Sequence, residues 1–142
     1  MGTGSLTEQI AGVLRPRREI LEAYLFGSRA REDASPESDT DVAVLVDRST
    51  APDPHFGYAA ALAADLTTAV GGGAVDVVVL NDAGPLLYQR VLRDGIRLLA
   101  RDLRATTTRE GRALSRYCDY VVQLRKMEVA HSARIAEGDV GR

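Results

Sequence analysis

Three short runs, ILEAYLF (20–26), DTDVAVLV (39–46) and AVDVVVL (74–80), are apolar at nearly every position rather than at alternate ones. A strand with one wet face alternates apolar and polar residues, so runs of this kind need cover on both faces. That requirement confines the chain to sheets flanked by helices.

The intervening stretches supply the helices. Ile10, Val13 and Leu14 follow helical spacing after a cap at Ser5 or Thr7, and Pro16 stops that helix. Residues 55–70, HFGYAAALAADLTTAV, are rich in alanine and leucine and predict a helix closed by Gly71, Gly72 and Gly73. A helix over Pro85–Arg93 ends at Gly95, IRLLA (96–100) follows as a short strand, and about 105–137 forms a long amphipathic C-terminal helix. Leu114, Tyr117, Val121 and Leu124 mark its apolar stripe. Alternation of strands and helices predicts an α/β fold, and 142 residues fit one domain spanning 1–142 with a core of its own. No internal repeat or low-complexity segment divides it.

Composition narrows the function classes. With 45% apolar and 27% charged residues the chain has an ordinary globular mixture, and a net charge of −2 argues against a broad surface for nucleic acid. No direct nucleic-acid partner is expected. The lone cysteine, Cys118, cannot form an internal disulfide, and its expected role is packing in a reduced interior. No apolar stretch approaches membrane-spanning length and the N-terminus lacks the regions of a signal peptide, so no membrane partner and a cytoplasmic location are expected.

Against this apolar background, carboxylates within the strand runs stand out. Residues i and i+2 of a strand face the same way, so Asp39 and Asp41 share one face, with α-carbons roughly 7 Å apart. Converging side chains of this kind can bridge two metal ions about 4 Å apart, the separation used in two-metal phosphoryl and nucleotidyl transfer. Asp76 recurs within another apolar run, and three neighbouring carboxylates repel unless cations compensate them. Oxygen-only ligands favour magnesium or manganese. Taken singly, each aspartate is better read as a strand-end or loop residue solvated at the sheet edge.

The turn after ILEAYLF adds a second element. Gly27 can take positive φ, and Ser28 with the backbone N–H groups of a helix starting in SRARE can hold phosphate oxygens. The spacing is neither a Walker A loop nor a dinucleotide-binding fingerprint. Arg29 and Arg31 flank the turn and can neutralise phosphate or merely solvate a short helix; Ser38 can touch phosphate or cap a turn.

Gly27-Ser28, ten intervening residues, Asp39-Thr40-Asp41 and the distant Asp76 together resemble the polymerase-β-type nucleotidyltransferase superfamily. More closely, LFGSRARED, SDTDVAVLV, VDVVVLND, LRDGIRLLARD and REGRALSRYCDY resemble the minimal nucleotidyltransferase (MNT) family, antitoxin partners of HEPN-domain toxins, over about residues 7–122. Family members usually carry Gly after GSRAR, where this chain has Glu32. The resemblance implies a mixed β-sheet flanked by helices, magnesium-dependent use of ATP with two Mg2+ ions, and transfer of AMP to a tyrosine of the HEPN toxin. It implies that Gly27 and Ser28 hold the triphosphate, with Arg29 and Ser38 beside them. Asp39 and Asp41 would ligate both metals, while Asp76 would ligate the catalytic one and help deprotonate the attacking hydroxyl.

Two rival readings are an antitoxin acting by occlusion without catalysis and a transferase for small hydroxylated molecules such as aminoglycosides. Intact Asp39, Asp41 and Asp76 weigh against the first, and the absence of an added substrate domain against the second. His55 is expected at a helix start on the surface, Arg125 and His131 on a solvated helix face, and Tyr117 in the core, whereas Tyr120 can reach a partner.

Overall fold

The computed structural model describes residues 3–27, 39–50, 57–71 and 73–136. Helix α1 (Thr3–Leu14) leads into β1 (Ile20–Phe26), followed by β2 (Thr40–Val46), α2 (Tyr58–Val70), β3 (Val75–Val79), a 3-10 turn (Leu80–Asp82), α3 (Pro85–Asp94), β4 (Ile96–Ala100) and α4 (Leu103–Ala136). The four strands form one mixed sheet in the order β3-β2-β1-β4, with β2 and β3 parallel and the other pairs antiparallel.

Both sheet faces are covered, as the apolar runs require. On one face Ala23, Leu25, Val42, Val44 and Val75 pack with Ile10 and Leu14 of α1 and Leu62 and Leu66 of α2. On the other, Tyr24, Phe26 and Ala43 pack with Leu80, Tyr88 and Val91, and with Ala113 of α4. A register shift between Ile20 and Glu22 breaks the alternation of β1, so Ile20 joins the first face while Glu22 turns to the second, beside Tyr24.

Glu22 is fully buried, and a buried carboxylate must be paired. It accepts hydrogen bonds from Arg109 Nε of α4 and, at 2.7 Å, from the Tyr24 hydroxyl. The same hydroxyl lies 2.8 Å from Glu110 Oε2, and Arg97 donates to both Glu110 oxygens at 2.6 and 2.8 Å. Burial, reinforced by the two glutamates, holds the Tyr24 phenol well above its usual range, so it remains a donor. The network pins α4 to the sheet. Two further clasps secure the frame: Arg101 donates to the carbonyls of Leu14, Arg15, Arg17 and Ile20, and the Asn81 amide pairs with both backbone groups of Val46.

Several expectations need correction. The first helix begins at Thr3, so Ser5 and Thr7 lie within it and do not cap it. Asp76 does not lie in a buried strand: among the described residues β3 is an edge strand, paired only to β2, and Asp76 is exposed on it. Asp39 stands just before β2, so strand alternation governs Asp41 but not Asp39. On α4 the buried line runs through the small residues Thr106 and Ala113, which let the helix approach the sheet closely. Tyr117, Val121 and Leu124 continue that line half-buried, whereas Leu114, one position round from Ala113, is 49% exposed. Cys118 is exposed for the same reason and does not pack in the interior. His55 lies outside the described residues.

Replacing Arg109 with methionine leaves the Glu22 carboxylate buried without its cation. The expected loss is about 3–5 kcal/mol in urea denaturation, with most of it recovered in the double variant Glu22→Leu/Arg109→Met. An Arg109→Met chain as stable as the parent would show that α4 is held by apolar contacts alone.

Candidate active site

The end of β1 meets the starts of β2 and β3 in a single row. Phe26 is the register partner of Asp41, and Asp41 is the partner of Asp76. Two carboxylates therefore face each other across adjacent parallel strands. Their apolar neighbours on the same face, Ala43 and Val78, show that this is the side covered by α3 and α4.

Gly27 follows Phe26 with φ +81°, in the left-handed region that favours glycine. Glycine is needed there twice over, because a Cβ would run into Asp41 Oδ2 and lie 3.3 Å from Asp41 Cγ. The missing side chain is the space in which the Asp41 carboxylate sits. Thr40, between the two aspartates, turns the other way. It is 1% exposed, donates its N–H to Ala74 O at 3.0 Å, and its buried hydroxyl has no partner among the described residues.

Burial pushes the Asp41 carboxyl above its ordinary range, and the charges of Asp76 and then Asp39 push it further. Asp41 thus feels the charge of both other aspartates. Among the described residues no three His, Cys, Asp or Glu side chains close into a group tight enough to hold a metal ion. In donor chemistry the trio nevertheless fits a hard divalent cation, because all the ligands are oxygens and an added positive charge relieves the repulsion at Asp41. Ser28, Arg29 and Ser38 lie outside the described residues, as does Arg31.

Sequence reasoning passed over the Glu22–Arg109 pair and the arginines of α4 that stand beside it. The signal for the pair was legible, since Glu22 is the one charged residue inside ILEAYLF.

A family profile described as polymerase beta, nucleotidyltransferase, matches residues 8–104. No curated protein sequence matches the chain. Among solved structures, a candidate minimal nucleotidyltransferase is 27% identical, over 68% of this chain and 95% of that one, with a TM-score of 0.53. A chain from a complex of tri-AMPylated Shewanella oneidensis HEPN toxin with MNT antitoxin is 23% identical over 92% and 98%, with a TM-score of 0.67. One from a toxin–antitoxin complex with AMP-PNP is 23% identical over 94% and 98%, with a TM-score of 0.62. At these identities the last two likenesses establish a shared fold.

The strain at Asp41 has a measurable sign. Its carboxyl is raised in the folded chain, so the folded state binds the proton more tightly than the unfolded state. Stability is lost as pH rises from the ordinary aspartate value of 3.8 through the raised value, and the penalty is complete once the folded-state carboxyl is ionised. In EDTA, Asp41→Asn should therefore melt at a higher temperature than the parent at pH 7, with the difference closing toward pH 4. Equal melting temperatures at both pH values would show that Asp41 carries no electrostatic strain.

Proposed function

Because the chain belongs to the polymerase beta nucleotidyltransferase family, we propose that it transfers AMP from ATP to a tyrosine hydroxyl of a HEPN-domain toxin and so neutralises that toxin. The observation that carries this reading is the Asp41–Asp76 pair facing across β2 and β3, with Gly27 shaped to admit the Asp41 carboxylate. The fold shared with chains of toxin–antitoxin complexes supports the choice of acceptor, since one such complex holds AMP-PNP and another an AMPylated HEPN toxin. We read residues 1–142 as one nucleotidyltransferase domain. No helix among the described residues is long and apolar enough to cross a membrane.

In this reading the Gly27 turn and Ser28 take the triphosphate oxygens, with Arg29 and Ser38 alongside. Asp39, Asp41 and Asp76 would hold Mg2+, and Asp76 also serves the acceptor. Mg2+, when bound, supplies positive charge that lowers the pKa of the attacking hydroxyl and stabilises charge at the α-phosphorus. Asp76 is exposed at the sheet edge, so a bulky acceptor can reach it. There its carboxylate takes the phenolic proton as the tyrosine oxygen bonds to the α-phosphorus. The bond between the α-phosphorus and the bridging oxygen breaks, and pyrophosphate leaves with that oxygen.

The reading is tested by incubating HEPN toxin with the chain and MgATP, separating the two under denaturing conditions, refolding the toxin and assaying RNA cleavage beside its intact mass. Toxin silenced and carrying AMP after the parent, but active after Asp39→Asn/Asp41→Asn, is the expected result. Asp76→Ala should slow the transfer by about 100-fold or more. Equal recovery of cleavage from both samples, without added mass, would falsify the transferase and favour occlusion.

A further inference from the structure

Charge is unevenly divided along the chain. Helix α4 carries seven Arg and Lys against three Asp and Glu, a net +4, in a chain whose total is −2. Three of its arginines, Arg109, Arg112 and Arg116, are spaced to share one helix face. They stand along an open groove of about 770 Å3 between α4, α3 and the sheet, whose apolar floor includes Leu45, Leu80 and Tyr88.

The three arginines are not equally occupied. Arg109 is committed to Glu22, and the Arg116 guanidinium lies 5.9 Å from the centroid of the Tyr88 ring. Arg112 has no hydrogen-bond or ion-pair partner among the described residues. Tyr88 is only 5% exposed, yet its hydroxyl, on a ring that lines the groove, makes no hydrogen bond among the described residues. Among the described residues the trough thus presents Arg112 without a partner, Arg116 held only over the Tyr88 ring, and a phenol hydroxyl that makes no hydrogen bond.

We propose that this groove docks an acidic, partly apolar segment of the protein whose tyrosine receives AMP; the proposal rests on the reading above and adds how the acceptor is held. Charge complementarity selects an acidic occupant, because guanidinium forks pair with carboxylates in bidentate geometry. The floor selects a polypeptide over nucleic acid, since Leu45 and Leu80 are aliphatic and the Tyr88 ring is 5% exposed beneath Arg116, which leaves bases little surface for stacking. Position selects the acceptor: Leu45 lies on the same face of β2 as Asp41, four residues along, or roughly 13 Å.

Docking is measured without nucleotide, as fluorescence anisotropy of a labelled random Glu/Tyr copolymer titrated with the full chain. The expected result is binding that weakens with salt and falls at least tenfold in Arg112→Glu/Arg116→Glu, with the milder Arg112→Gln/Arg116→Gln intermediate. Far-ultraviolet circular dichroism of each variant confirms folding, and the glutamine variant carries the test if charge reversal unfolds the chain. Displacement of the copolymer by pyrophosphate at equal charge concentration would reveal a small-anion site, and tighter binding of oligouridylate through the same arginines would reveal a nucleic-acid site. Either outcome overturns the proposal, as does copolymer binding that is absent or indifferent to both variants. Copolymer binding without AMP transfer supports the groove and counts only against the transferase reading.

Discussion

A fully buried carboxylate in the middle of a sheet is a commitment that the surrounding elements must honour. Glu22 is tolerated because Arg109 reaches in from α4 and Tyr24 donates beside it, and Tyr24 in turn meets Glu110, which Arg97 neutralises. Residues from β1, β4 and α4 thus share one polar cluster. Apolar packing alone would let a long helix slide or rotate on the sheet, whereas this cluster is satisfied in one placement. Buried polar groups contribute more to such uniqueness than to net stability. The placement of α4 then decides which of its arginines face the groove and which face water.

The candidate site obeys a related logic with the opposite outcome. Glu22 is paired within the fold, while the Asp41 carboxyl is raised by its own burial and then by the charges of Asp76 and Asp39. Gly27 makes the crowding possible, since any side chain there would occupy the space of the Asp41 carboxylate. The fully buried Glu22 is resolved by the fold, whereas the half-buried Asp41 keeps the repulsion of its acidic neighbours. Both lie on the same sheet face, so the strain at Asp41 develops against a rigid backing.

Much of this was legible in the residues. Continuous apolar runs foretold a sheet covered on both sides, and Gly71 and Gly95 ended their helices where expected. Asp39 and Asp41 were legible as carboxylates at the entrance of a strand, whereas Asp76, expected inside a buried strand, is exposed on an edge strand opposite Asp41. Sheet order was not legible. AVDVVVL is as apolar as DTDVAVLV, and nothing in its composition says that it pairs on one side only. One member of the α4 stripe, Leu114, was misplaced because periodicity marks where apolar residues lie, not how closely a helix approaches. Thr106 and Ala113 are buried because they are small, and Leu114 is exposed although it is larger and more apolar.

The two edges of the sheet invite a last comparison. An edge strand offers unpaired backbone groups to any other strand, and native sheets discourage such additions by keeping edges short and charged. Both edges here are five residues long, with exposed Asp76 on β3 and exposed Arg97 on β4. The first is the most open carboxylate within the site's own strands, and the second belongs to the cluster that seats α4. Each therefore has a second effect, as a gatekeeper against aggregation through strand addition.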